Sequence, residues 1–179
     1  LIKTAQQFIG STRTTAPDRV TEFLALYDLP LKDDTGYVPF CAAGLAYCAA
    51  MAYAELLGKS YRANPLRTFK DILPDIDHWY YYPSPSCVDM YMVAAGKRRW
   101  VPVSAKKIIP KPGWIILFAW DRPGSANHCG IITGGDVNRL RTIEFNTSGS
   151  VNGSQVNGGA VVERDRAYNK QVMGFIRVE

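Results

Sequence analysis

Long apolar runs are missing from this chain of 179 residues, none of which approaches the ~18 consecutive apolar positions of a membrane-spanning helix. A transmembrane segment is therefore excluded. Histidine is scarce, with His78 and His128 alone. The four cysteines, at 41, 48, 87 and 129, form no C-x-x-C pair. Zinc ligands usually announce themselves as Cys or His pairs at short spacing, so the pattern argues against a metal centre. Nor is it a disulfide framework. Cys41 and Cys48 fall two helical turns apart, roughly 10 Å, too far to bridge. A bridge involving Cys87 stays open. The opening residues, Leu1-Ile2-Lys3-Thr4, carry neither a Met nor a signal-peptide pattern, so a processed product or an excised domain is expected. Internal repeats are absent too.

What is present suits one folded domain over 1–179. Apolar residues make up 47% of the chain and charged residues 21%, enough to bury a core and too few charges for disorder. Twenty-one Lys and Arg against sixteen Asp and Glu leave a net charge of +5, which suits an anionic partner. The basic residues cluster only at Lys97-Arg98-Arg99 and around Lys106-Lys107. No nucleic-acid motif surrounds them, and a solvated face is the simpler reading.

The first half reads as helical. Residues 1–9 suggest a short helix stopped at Gly10. Thr15-Ala16-Pro17-Asp18 reads as a hydroxyl cap with an early proline, followed by Val20, Phe23, Leu24 and Tyr27 at helical spacing. Lys32 to Gly36 is a polar turn. Residues 41–57, rich in Ala and Leu, should form a central buried helix ending at Gly58. Further helices are expected over 65–73 and over 87–95, the latter stopped by Gly96. From residue 100 the period changes to that of strands, at 100–103, 114–120, 130–133, 140–145, 160–162 and 172–178. Residues 147–159 form a Gly/Ser/Asn loop. Helices first and antiparallel strands second predict an α+β fold.

Three pieces could carry chemistry. Cys41 opens the central helix, where unsatisfied N–H groups lower a thiol's pKa and favour the nucleophilic thiolate. The bland alternative is a buried structural cysteine, the reading given to Cys48. His128 sits at the entrance of a strand. A hairpin centred near Asp136 would set His128 directly opposite Glu144, with Asn146 a diagonal neighbour and with Ile131, Ile143 and Phe145 on the opposite, core-facing side. A slip of two residues would exchange Glu144 for Asn146 as the direct partner. A cysteine with a distant His and an Asn or Glu is a recognised nucleophile pattern, in which the imidazole moves protons and the third group fixes its tautomer.

Pro39-Phe40-Cys41-Ala42-Ala43 resembles the P-W-C-A-A-F helix start of CHAP-type (cysteine, histidine-dependent amidohydrolase/peptidase) domains, relatives of the NlpC/P60 group. Lys111-Pro112-Gly113-Trp114-Ile115-Ile116-Leu117-Phe118 resembles their P-G-D-I-V-L-F strand. Asn127-His128-Cys129-Gly130-Ile131-Ile132-Thr133-Gly134 is similar to D-H-V-G-I-V-T-G, Glu144-Phe145-Asn146-Thr147 to E-G-N-T, and Val172-Met173-Gly174-Phe175-Ile176-Arg177 to the closing v-x-G-F-I-R. The motifs run in the family's order and span most of the chain. Two departures stand out: Phe40 replaces the usual Trp or Gln, leaving the backbone N–H of Cys41 as default oxyanion donor, and Trp114 replaces the usual Asp.

The resemblance implies a papain-like α+β fold, with the nucleophile helix packed on a C-terminal antiparallel sheet, and a cysteine hydrolase cutting an amide bond in bacterial peptidoglycan. It implies Cys41 as nucleophile, His128 as general base and acid, Glu144 as orienting carboxylate and Asn146 as accompanying amide, with no cofactor. Residues 58–86 look like a family-specific insertion. Its aromatics, Trp79 and Tyr81 among them, together with Tyr37, Trp120 and Arg122, are candidates to hold peptidoglycan peptide stems, although a run of rings such as 79–82 suits a core-packed strand equally. His78 reads as non-catalytic. A monomer is expected, as lysin, wall-remodelling enzyme or antibacterial effector with an inhibitor protein as partner, secreted or delivered to the cell envelope or periplasm. The rival readings are a catalytically silent domain binding cell-wall peptides on the same fold, and a cysteine acyltransferase.

Overall fold

The computed structural model describes residues 1–58, 84–103, 108–150 and 152–178. The helix expected over 65–73, most of the expected insertion, and Trp79 and Tyr81 lie outside the described residues. The architecture is α+β, compatible with the papain-like arrangement. Helices α1 (Ile2–Gln6), α2 (Pro17–Ala25), α3 (Cys41–Leu56) and α4 (Cys87–Gly96) precede strands β3 (Trp100–Pro102), β4 (Ile115–Phe118), β5 (His128–Gly135), β6 (Arg139–Thr147), β7 (Ala160–Ala167) and β8 (Val172–Ile176). These six strands form one antiparallel sheet in the order β3-β8-β4-β5-β6-β7. The polar turn after α2 is a small hairpin of its own, β1 (Lys32–Asp33) with β2 (Gly36–Tyr37).

Local chemistry explains most boundaries. Pro17 opens α2, where its missing N–H costs nothing. The cap differs from expectation: Ala16 holds the N-cap and offers no side-chain bond. The hydroxyl that organises the turn is that of Thr12, which accepts from the backbone N–H groups of Thr14 and Thr15. Ser86 caps α4 by accepting from the N–H of Asp89 at 3.2 Å. Strand β7 runs to Ala167, well past the apolar 160–162, because its remaining residues alternate between exposed positions and the sheet interior.

The sheet is buried on both faces. Helix α3 is buried at ten of its sixteen positions and packs on Cys129, Ile131, Ile143 and Phe145. The small side chains of α3 let it lie close. A Cβ on Gly44 would come within 2.4 Å of the Phe145 ring. On the other face Ile116, Phe118, Ile132, Leu140, Tyr168, Val172 and Phe175 form a second cluster. The N-terminal segment closes part of the sheet's outer edge. Thr12 bridges Ala160, and the N–H of Gly10 donates to the Val161 carbonyl at 2.9 Å.

Gly44→Ala is expected to destabilise the protein. Its gain in helix propensity, at most ~1 kcal/mol, is smaller than the ~1–3 kcal/mol that overpacking costs at a helix–sheet contact of this kind. The midpoint of urea unfolding should fall with an unchanged m-value.

Candidate active site

Cys41 is the first residue of α3 and His128 the first residue of β5. Each therefore sits at the end of its element. Successive strand residues face opposite sides, so Cys129 turns toward α3 while His128 joins Glu144. At the strand's end the imidazole is reachable from both the helix start and the sheet. Its Nε2 is 2.9 Å from Oε2 of Glu144, with both side chains fully buried. The Cys41 thiol acts on the same ring, and the shift is mutual. Among the described residues no hydrogen bond closes on Nδ1 of His128, which is buried and is the nitrogen left for the thiol.

The hairpin register differs from the expected one by two residues. Glu144 lies opposite Gly130, not opposite His128, and Ile131 opposite Ile143. Glu144 is thus a diagonal neighbour of His128, and it still supplies the bond because its side chain leans across Gly130. A Cβ there would meet Cγ of Glu144 at 2.7 Å. The glycine is what lets the carboxylate lie along the strand and reach the imidazole. Asn146, the expected accompanying amide, is buried with φ at 59°. Its Nδ2 donates to the Val156 carbonyl at 2.9 Å, and its Oδ1 accepts from Arg13. Its bonds therefore tie the 147–159 loop and the N-terminal segment to the end of β6.

Sequence reasoning passed over Arg166. It lies within the charged run Glu163-Arg164-Asp165-Arg166. It is 7% exposed. Nε donates to Oε1 of Glu144 at 2.7 Å and Nη2 donates to Oε2, a two-pronged grip on one carboxylate. Thr142 adds its hydroxyl to Oε1 at 2.6 Å. The legible signal was the period of two, which puts residues 162, 164 and 166 on the face that carries Glu144. The guanidinium also lies over the rings of Trp120, at 5.0 Å, and Phe118. Phe118 in turn stacks on Trp120 and neighbours His128 at 5.8 Å between centroids. Trp120 is thus part of the wall behind the imidazole. Arg122 is exposed in the turn that follows. Tyr37 is half-buried, its ring under the guanidinium of Arg13, which also faces the Phe40 ring beside Cys41.

The electrostatics follow from these partners. Burial alone would raise the Glu144 carboxyl, but the bonds from Arg166 and His128 outweigh it and bring it down to about 2. Burial alone would lower His128, yet Cys41 and Glu144 on its two sides lift it to about 9. Bonds from Cys129 and Cys87, with His128 behind them, hold the Cys41 thiol well below its usual range. Cys129 is pushed up by Cys41, Cys87 and burial. For Cys87 a bond from Cys129 pulls downward, and Cys41 and burial prevail upward. These directions favour a thiolate beside an imidazolium, with a buried carboxylate behind. Cys48, two turns along α3, is fully buried and pushed up by desolvation, as a core thiol should be.

The cysteines hold one arrangement that spacing could not reveal. Cys41 of α3, Cys87 of α4 and Cys129 of β5 bring their sulfurs within 4.8 Å of one another. All four cysteines are free thiols.

No family model matches the chain, and no curated protein matches it. Solved structures similar to it include Ly7917 with the hydrolysing product of MDP, at 14% identity and a TM-score of 0.39, covering 77% of this chain and 53% of that one. Another is the wild-type endolysin LysIME-EF1, at 18% identity and a TM-score of 0.31, covering 73% of this chain and 63% of that one. This chain thus matches less than two thirds of the length of either. The functional reading rests on the geometry and motifs of the site.

Arg166→Met should leave the Glu144 carboxylate buried without its cation and cost about 3–5 kcal/mol at neutral pH. The ordinary carboxyl value is 4.5 and the folded one about 2, so this stabilisation is present above 4.5 and fades as pH falls through 2. The gap between wild type and variant in urea unfolding should therefore narrow toward acid. For His128 the folded value of about 9 exceeds the ordinary 6.5, so its contribution is complete below 6.5 and is lost as pH rises through 9. Cys41, held below its ordinary range by the same pairing, contributes in the opposite sense over that window, so the melting temperature of wild type should change little between pH 6.5 and 9.

Proposed function

We propose that the protein is a cysteine hydrolase that cleaves an amide bond in bacterial peptidoglycan, as an N-acetylmuramoyl-L-alanine amidase or a peptide endopeptidase of the CHAP kind. The observation that carries the chemistry is the line Cys41, His128, Glu144: a thiol at a helix start, an imidazole within its reach, and a carboxylate 2.9 Å from the imidazole's other nitrogen. The substrate class follows from the motifs around those residues, and a net charge of +5 suits an anionic wall polymer.

The thiolate of Cys41 attacks the amide carbon. The developing oxyanion lies toward the first turn of α3, whose amides lack partners within the helix, and the Cys41 N–H is the nearest such donor. His128, as imidazolium, gives its proton to the departing amine when the C–N bond breaks, leaving a thioester and a neutral imidazole. A water then loses a proton to His128 as it attacks the thioester. The acid leaves and the thiolate–imidazolium pair is restored. Throughout, Glu144 accepts the N–H of Nε2, which fixes the ring's orientation and the tautomer presented to sulfur. Trp120, Arg122 and Tyr37 are assigned to the peptide stem, with Arg122 suited to a stem carboxylate because a guanidinium binds that group with two parallel bonds. The protein acts as a monomer at the cell envelope, where an inhibitor protein would be the partner of an antibacterial effector.

Cys41→Ala should lower digestion of purified sacculi by roughly 10⁴–10⁶-fold without changing the unfolding midpoint much. Mass spectrometry of the wild-type digest identifies the bond. Lysis that survives the substitution would remove the mechanism. The rate of Cys41 alkylation by iodoacetamide should stay high at pH values well below the ordinary thiol pKa, and turnover should decline as pH rises through about 9, where His128 loses the proton it must give to the amine.

A further inference from the structure

Catalysis by a thiolate, an imidazole and a carboxylate needs one sulfur. The structure assembles three, from elements far apart in sequence, with Cys41 and Cys87 at 3.8 Å between sulfurs and Cys129 completing the triangle within 4.8 Å. Cys41 and Cys87 are each 6% exposed, and Cys129 and His128 fully buried. The imidazole paired with Cys41 has a buried nitrogen, Nδ1, on which no hydrogen bond closes among the described residues. Its other nitrogen is held by Glu144.

We propose that the sulfurs of Cys41, Cys87 and Cys129 form a binding site for a thiophilic divalent cation of the zinc class, with solvent as the fourth ligand. Two features decide for a cation. The first is the donor set. Three clustered sulfurs supply three of the four ligands of tetrahedral zinc, and soft thiolate donors select against calcium and magnesium. The second is spacing. Zn–S bonds of about 2.3 Å at tetrahedral angles put sulfurs about 3.8 Å apart, the separation found between Cys41 and Cys87. A disulfide would have to close that gap to about 2.05 Å. On binding, Cys87 and Cys129 release their thiol protons to the buffer, so affinity rises with pH.

The site shares Cys41 with the proposed chemistry. A bound cation would take the lone pair of the attacking sulfur. The cation therefore holds the enzyme off, and a chelator restores it. This last consequence rests on the hydrolase reading; the binding site itself does not.

The test uses the full chain, reduced and stripped with a chelator, titrated anaerobically with Co²⁺ as a spectroscopic stand-in and then with Zn²⁺ as competitor. One equivalent of Co²⁺ should give thiolate-to-metal charge-transfer bands and the visible bands of tetrahedral cobalt, bleached by Zn²⁺. Cys87→Ser and Cys129→Ser should each weaken binding by at least about 10–100-fold, the loss usual for removing even an outer-shell partner, whereas Cys48→Ser should leave it unchanged. Absence of the charge-transfer bands would overturn the site, as would bands that persist in Cys87→Ser and Cys129→Ser. Sacculus digestion by the stripped protein, measured alongside, separates the two ideas. Bands without digestion would leave the cation site and remove the hydrolase. Digestion without bands would do the reverse.

Discussion

A carboxylate buried in the middle of a sheet is the constraint around which the rest is arranged. An unpaired Glu144 there would simply take up a proton. Arg166 prevents this by gripping both oxygens, and the negative charge so preserved is offered to the imidazole of His128. Every neighbouring choice serves that grip. Gly130 vacates the space that the side chain crosses, Thr142 satisfies a remaining lone pair, and Phe118 and Trp120 wall the guanidinium from water. Buried ion networks of this kind add little net stability, because desolvation cancels most of the attraction. What this one supplies is a fixed charge behind a movable proton.

The helix and the sheet contribute in different ways. Helix α3 delivers sulfur at its leading end, and its small residues let it settle onto Phe145 so that Cys41 arrives beside β5. The sheet delivers the imidazole and its carboxylate from adjacent strands. Neither element holds a working group alone. Tertiary packing makes the site, which explains why it stands at the junction of the two layers.

The sequence made much of this legible, and the failures have particular causes. The helix start at Cys41 could be read from Pro39-Phe40-Cys41 at the head of an Ala-rich segment, and the core-facing side of the hairpin from Ile131, Ile143 and Phe145. The register slipped by two because a shift of two keeps every residue on its face, so periodicity cannot tell the alternatives apart. Only Gly130, opposite Glu144, distinguishes them, and a glycine in a strand says little until its neighbour is known. Arg166 was hidden because a charged run reads as surface. The thiol cluster was hidden because positions 41, 87 and 129 share no spacing; long-range folding alone joins them. The capping hydroxyl was misplaced from Thr15 to a turn governed by Thr12, since a threonine-rich stretch offers several equivalent oxygens.

The two outer strands of the sheet have a bearing on how the molecule behaves in company. β3 is three residues long and ends at Pro102, which has no N–H to offer a neighbour. β7 is covered at its start by the segment around Thr12 and continues with exposed Glu163 and Asp165. Neither margin presents a long, flat ladder on which a second chain could add itself. Where copies of the chain crowd together, these blunted margins keep the crowding from becoming fibril growth.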